Sequence, residues 1–165
     1  MFRRFAILAA FSCAIVLGFA FLAPSAWTMP LQGTSETSPT APTRTPFGAW
    51  LTANGQAVVE IMPCGAALCG RIAGIARPPG APMPTDVEGR PQCGLLIIQA
   101  GQPDEDGAWF GTVTDPRDGK SFGARLRVDE AGDLRLRGFL GIPLLGETTT
   151  WRPFMGKLGA ACTMS

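Results

Sequence analysis

The sequence predicts an all-β protein, a small up-and-down antiparallel β-barrel of about eight strands. Three observations carry that expectation. With 21 Gly and 15 Pro among 165 residues, long helices are disfavoured, because both residues break helix interiors. After Pro46, short runs of β-branched, aromatic and aliphatic residues recur at fairly even spacing between turn signals. Consecutive runs are joined by short connections, and closing such a series into a barrel removes the exposed edges that a lone sheet would carry.

The elements follow in order. Phe47 to Thr52 forms the first strand, and Asn54-Gly55 is a strong hairpin turn. Gln56 to Met62 answers it, with Val59 and Ile61 on one face and Val58, Glu60 and Met62 on the other. Pro63-Cys64-Gly65 turns the chain into a third strand, Leu68 to Ala76. Arg77 to Pro91 holds five Pro and two Gly and reads as a long loop. Cys93 to Ala100 contains Leu95-Leu96-Ile97-Ile98, apolar on both faces and therefore well covered. Asp104-Glu105-Asp106-Gly107 turns into Trp109 to Thr114. The next turn is Asp115-Pro116-Arg117-Asp118-Gly119: Pro116 sets φ, Gly119 can take positive φ, and the Asp side chains can bond nearby amides. Ser121 to Val128, Asp133 to Leu140 and Gly146 to Phe154 complete the series.

In the strands around 124–137, Leu126, Val128, Leu134 and Leu136 alternate with Arg125, Arg127, Arg135 and Arg137. Burying four cations would be prohibitively costly, so the Arg set faces outward. It reads as a solvated strand face that deters edge pairing, with an anion-binding patch as the alternative.

Residues 1–26 are set apart from this fold. Met1-Phe2-Arg3-Arg4 followed by the apolar run Phe5 to Ala23 is a targeting segment, either a cleaved signal peptide or a retained membrane anchor. Residues 27–46 form a Thr/Ser/Pro-rich linker, too poor in apolar surface to offset its ordering entropy. That leaves 47–160 for the barrel domain, long enough for one core.

Composition excludes several chemistries. Lys and Arg number 14 against 13 Asp and Glu, so no charge bias points to nucleic acid. The chain has no His, hence no imidazole base, no Ser-His or Cys-His pair, and none of the commonest metal ligand. The carboxylates Glu60, Asp86, Glu88, Asp115, Asp118 and Glu147 could suggest a glycosidase, which needs two across a cleft. Turn chemistry accounts for Asp115 and Asp118, and Asp86 and Glu88 lie in a loop beside Arg90. Gly-rich pieces such as Gly138-Phe139-Leu140-Gly141 precede no helix and are not phosphate cradles. The expectation is a protein that is not an enzyme and that uses neither cofactor nor metal. Cys64, Cys69, Cys93 and Cys162 lie beyond the apolar segment, an even number suited to two disulfides in an oxidising compartment. Four cysteines allow three pairings; the one expected joins Cys69 to Cys93 across the long loop and Cys64 to Cys162.

A set of short motifs then carries a resemblance. Gly48-x-Trp50, Val59-x-Ile61, Cys64-Gly65-x-x-Leu68-Cys69-Gly70-x-Ile72, Cys93-Gly94-Leu95, Trp109-x-Gly111, Asp115-Pro116-x-Asp118-Gly119-Lys120, Leu136-x-Gly138-x-x-Gly141 and Leu145-Gly146-x-Thr148-x-Thr150-Trp151 occur in that order. Together, over about Phe47 to Phe154, they resemble the bacterial domain-of-unknown-function family numbered 2147. The resemblance implies an exported, lipocalin-like β-barrel with no established activity, in the periplasm either as a soluble domain or tethered to the inner membrane by residues 5–23. The chain departs from the family pattern at Thr85-Asp86-Val87-Glu88-Gly89-Arg90, where an Asp and an Asn-Pro pair are usual, and at Phe122, where many members have Tyr. The Gly-x-Trp opening and the Trp151-Arg152 ending resemble the paired signature of such barrels, which implies Arg152 stacked on Trp50, a contact contributing about 0.5–2 kcal/mol.

Two functions fit. In the first, the barrel binds a small apolar ligand in a lumen lined by Trp109, Val113, Leu126, Val128, Leu134 and Leu136, the positions opposite the Arg set or on the adjoining hairpin. In the second, the protein is a non-catalytic module that docks on a cell-envelope component through its basic outer face.

Overall fold

The computed structural model describes residues 44–165. The targeting segment and most of the linker expected from the sequence lie outside them. Eight strands form one closed antiparallel barrel in chain order: β1 (Gly48–Leu51), β2 (Ala57–Cys64), β3 (Ala67–Ile75), β4 (Leu96–Pro103), β5 (Trp109–Thr114), β6 (Ser121–Val128), β7 (Leu134–Phe139) and β8 (Glu147–Pro153). Every neighbour along the chain is a neighbour in the sheet, and β8 returns to β1 through Trp50↔Pro153 and Leu51↔Arg152. Register shifts at Val58/Val59, Gly70/Arg71 and between Ala100 and Pro103 add the local twist that lets a sheet this small curl shut.

The turns form as their residues dictate. The Gly119 amide donates to the Asp115 carbonyl at 2.8 Å with φ +72° at Gly119, and the Asp115 amide reaches the Lys120 carbonyl at 2.9 Å. Gly111 has a different reason to be glycine. A Cβ there would come within 1.9 Å of the Gln99 carbonyl oxygen and 2.4 Å of the Ala100 Cα, so β4 and β5 approach too closely for any side chain.

Inward-facing residues divide along the barrel axis. One end is filled by Trp50, Ile61, Leu68, Ile98, Leu126, Leu134 and Leu136, all buried, with Phe47, Trp109 and Val128 packed against them. Trp50 donates from Nε1 to the Pro46 carbonyl at 2.7 Å, and Phe47 meets Trp109 edge to face with ring centroids 5.7 Å apart. Each fully buried aliphatic chain here contributes roughly 1.5–3 kcal/mol. This is the closed end. The β2–β3, β4–β5 and β6–β7 turns lie at it, and the remaining connections lie at the opposite, open end.

Two expectations are corrected. Arg152 is exposed, and its register partner is Leu51 rather than Trp50. Successive strand residues point to opposite faces, so the buried Trp50 and the outward Arg152 stand on opposite sides of the wall and cannot stack. The disulfides are Cys64–Cys69 and Cys93–Cys162, not the crossed pairing. The β2–β3 hairpin places Met62 opposite Cys69 and Cys64 opposite Ala67, which brings both sulfurs to one short turn. Cys93 is thereby left for the chain's last cysteine. After β8 the tail folds back, bridging Leu158 to Met164, and Leu158 covers Gly74 so closely that a Cβ there would lie 2.8 Å from it.

The two bridges close loops of very different length, with sequence separations of 5 and 69. Replacing Cys93 and Cys162 by Ala should therefore cost about 4 kcal/mol, and replacing Cys64 and Cys69 about 2 kcal/mol, on loop-closure entropy. Urea denaturation of the two double variants measures the difference.

Candidate functional site

The open end holds a cavity of about 800 Å³, within the range of small-molecule sites. Its floor is the top of the packed core: Val59, Ile97, Val113 and Trp151 belong to both. Above them Ile72, Ile75 and Phe122 make the apolar walls. Val113 and Phe122 are a cross-strand pair on β5 and β6, and Phe keeps that wall free of the hydroxyl a Tyr would bring.

The rim is polar and comes from three connections. Thr52, Asn54 and Gln56 belong to the β1–β2 turn, Asp115 and Arg117 to the β5–β6 turn, and Arg77 and Gln92 to the long segment between β3 and β4. Arg117 folds back on its own turn, its Nε donating to Asp115 Oδ1 at 2.9 Å. That hydrogen bond holds the Asp115 carboxyl below the usual carboxylate range, against the opposing effect of burial. The carboxylate is thus kept ionised and paired. Arg77 is fixed differently: its Nη1 donates to the Ala81 carbonyl at 2.7 Å and its Nη2 to the Ala161 carbonyl at 3.2 Å. Its Nε is buried and has no hydrogen-bond partner among the described residues. No carboxylate among the described residues forms an ion pair with this guanidinium, so it leaves a positive charge beside the cavity.

The segment between β3 and β4 is held over the mouth by a polar knot around Asp86. This carboxylate is buried and accepts from the Glu88 amide at 2.9 Å, the Arg90 amide at 2.8 Å and Arg90 Nε at 2.7 Å. Burial pushes the Asp86 carboxyl up, but the Arg90 amide and guanidinium and the Glu88 amide outweigh it and hold the group below its ordinary value. The knot then docks on the neighbouring turn, the Val87 amide donating to the Pro116 carbonyl at 3.2 Å. Pro84 and Gln92, on either side of the knot, line the cavity.

Of the six lumen residues expected from the sequence, Val113 alone lines this cavity. Leu126, Leu134 and Leu136 point inward as their alternation requires, but they lie in the packed core with Trp109 and Val128 against it. Period-two alternation reports which face a residue occupies, not its depth along the axis. Leu136 marks the boundary, since its register partner Thr149 does line the cavity. Ile72 and Phe122 were visible as motif positions without a role. Arg77 carried no sequence signal, because only the folded connection brings it to the mouth.

The site sits on a family fold. The model of the family described as an uncharacterized protein conserved in bacteria (DUF2147) matches residues 48–152, and the chain belongs to that family. Among solved structures, the chain is similar to protein HP1028 of Helicobacter pylori, which belongs to the lipocalin family. The TM-score is 0.51 at 18% identity, over 65% of this chain and 81% of that one. That likeness concerns the fold. A search of curated proteins returns no match.

Because the folded-state pKa of Asp86 is depressed, its stabilising contribution is complete above the ordinary carboxylate value of about 3.9 and is lost as the pH falls through the lower folded value. Hydrogen exchange should therefore show residues 85–91 losing protection in that acid range before the β-strands do. Asp86→Asn, which cannot accept the same charge-assisted bonds, should show the loss already at neutral pH.

Proposed function

We propose that this protein is an exported, non-catalytic carrier that holds a small, mostly apolar molecule in the open end of its barrel. The observation that carries this reading is the 800 Å³ cavity floored by Val59, Val113 and Trp151, an apolar chamber above a core that is otherwise closely packed. The rim supports a ligand with a hydrogen-bond-accepting end: Arg77 contributes a positive charge that no acid among the described residues neutralises, while Asp115, the acidic residue of the lining, is held by Arg117. The same pairing argues against a general-acid role for Asp115, since its carboxylate is kept ionised by its own turn. The two disulfides support export to an oxidising compartment, and in a bacterial family that compartment is the periplasm.

The test is binding of a neutral naphthylamine dye to the intact chain, followed by fluorescence and by melting temperature. The dye should bind and raise the melting temperature, because a ligand that binds only the native state stabilises it. Val113→Trp, which fills the chamber from its floor, should weaken binding about tenfold or more, equivalent to about 1.4 kcal/mol. Leu126→Ala should cost roughly 2–5 kcal/mol of stability and leave dye affinity nearly unchanged. Dye binding that Val113→Trp does not alter, or no binding at all, would overturn the carrier reading.

A further inference from the structure

Between β7 and β8, at the same end of the barrel as the cavity mouth, residues 140–146 form a loop whose apolar side chains face solvent. Leu144 is 80% exposed and Leu145 77%, and Leu140 and Ile142 are exposed as well. The loop is not slack. A 3-10 turn spans Pro143–Leu145, and Arg137 reaches up from β7 to brace it, Nε donating to the Pro143 carbonyl at 2.6 Å and Nη2 to the Leu144 carbonyl at 3.0 Å. A braced loop displays its leucines instead of folding them away. Contiguous apolar exposure of this kind marks an interaction surface.

Charge says which surface. Directly behind the loop, the register of β6 and β7 sets Arg125 opposite Arg137 and Arg127 opposite Arg135 on the outer face. Like charges directly opposite destabilise a sheet, and the ion pair these arginines make among the described residues is that of Arg135 with Asp129, 4.0 Å apart at the far end of the strand. The two ends differ in how their acids are held. At the open end Asp86 and Glu88 pair with Arg90, Asp115 with Arg117 and Asp118 with Lys120, leaving Glu147. At the closed end Asp104, Glu105 and Asp106 between β4 and β5, and Glu130 and Asp133 between β6 and β7, form no ion pair among the described residues. The barrel is thus polarised in its unpaired charge, which is acidic at the closed end and cationic on the flank behind one apolar lip of the open end. Arg137 lies three residues before Leu140, about 10 Å along a strand, comparable with the 5–10 Å to which interfacial apolar residues sink beneath lipid headgroups.

We infer that residues 140–146 dock this protein on an anionic lipid bilayer, with Leu140, Ile142, Leu144 and Leu145 among the acyl chains, Arg125 and Arg137 at the headgroups, and Arg127 and Arg135 adding longer-range attraction. The open end of the barrel then faces the membrane and the acidic closed end faces away. This docking stands independently of whether the cavity holds a ligand.

Hydrogen exchange on the full chain tests it, in vesicles of phosphatidylcholine alone and of phosphatidylcholine mixed with phosphatidylglycerol. Any attachment through the apolar amino terminus is then present in both. Amides of residues 140–146 should exchange about tenfold more slowly in the phosphatidylglycerol vesicles, and added salt should reverse part of that protection. Replacing both leucines, Leu144→Ser with Leu145→Ser, should abolish the protection while β6 and β7 amides stay protected, since neither side chain is buried. Equal exchange in the two vesicle types would overturn the inference. So would protection that survives the double replacement, that appears at residues 104–107 instead, or that grows with protein concentration as contact with a second copy would.

Discussion

The barrel depends on a narrow seam. Strand β1 has four residues, and it pairs with β8 through two of them, Trp50 and Leu51, with one further bond from the Phe154 amide to the Ala49 carbonyl at 2.9 Å. So few backbone hydrogen bonds, each contributing about 1 kcal/mol net, would not hold an edge shut alone. What closes the sheet is the side chain beneath the seam. Trp50 is buried from β1 and Trp151 from β8, both in the same core cluster, and the Trp50 indole is fastened to the Pro46 carbonyl. Closing the seam removes both free edges at once.

The cavity is a consequence of where that packing sits. An eight-stranded barrel has an interior just wide enough either to be filled by side chains or to hold one small ligand. This chain does the first at one end and leaves room at the other. Aromatic and leucine side chains are concentrated near the seam and the closed-end turns. Towards the mouth some inward positions pass to smaller or polar groups, as where Leu136 of β7 faces Thr149 of β8, while Ile72, Ile75 and Phe122 line the walls without meeting across the lumen. The volume missing from those positions is the chamber.

The strands and turns were legible in the sequence because each rests on local chemistry. Asn54-Gly55 and Asp115 to Gly119 specify turns within a few residues, and the Leu/Arg alternation of 124–137 fixes which face is inside. The match of motifs from Gly48 to Trp151 also pointed to the right family. What was not legible depends on contacts distant in sequence. The Cys93–Cys162 bridge requires the tail to turn back along the outside of β2 and β3, a path that no local signal in 155–165 announces. The lumen was placed too deep because alternation carries no information about height. Arg152 was aimed at Trp50 because both lie at the ends of adjoining strands, and the one-residue offset in register that separates their faces is set by the seam itself.

The two ends of the barrel are held together by different physics. At the closed end the interior is full, and apolar burial does the holding. At the open end the chamber leaves its wall no packing partner across the lumen, and a smaller apolar cluster of Ile72, Ile75, Met83 and Leu95 joins the end of β3 to the β3–β4 segment instead. There the support comes from outside the lumen. The disulfide Cys93–Cys162 ties the end of the long β3–β4 segment to the tail. Asp86 gathers the middle of the same segment through four contacts, counting the 2.7 Å ion pair with Arg90 Nη2. Arg77 spans two carbonyls 80 residues apart in sequence, Ala81 and Ala161, and Arg137 braces the β7–β8 loop. Each of these clamps is polar or covalent and directional, and each fixes a connection, Arg137 doing so from β7. The clamping bonds of these groups run to the protein's own carbonyls, carboxylates and amides, so the mouth is shaped without drawing on contacts a ligand would have to displace.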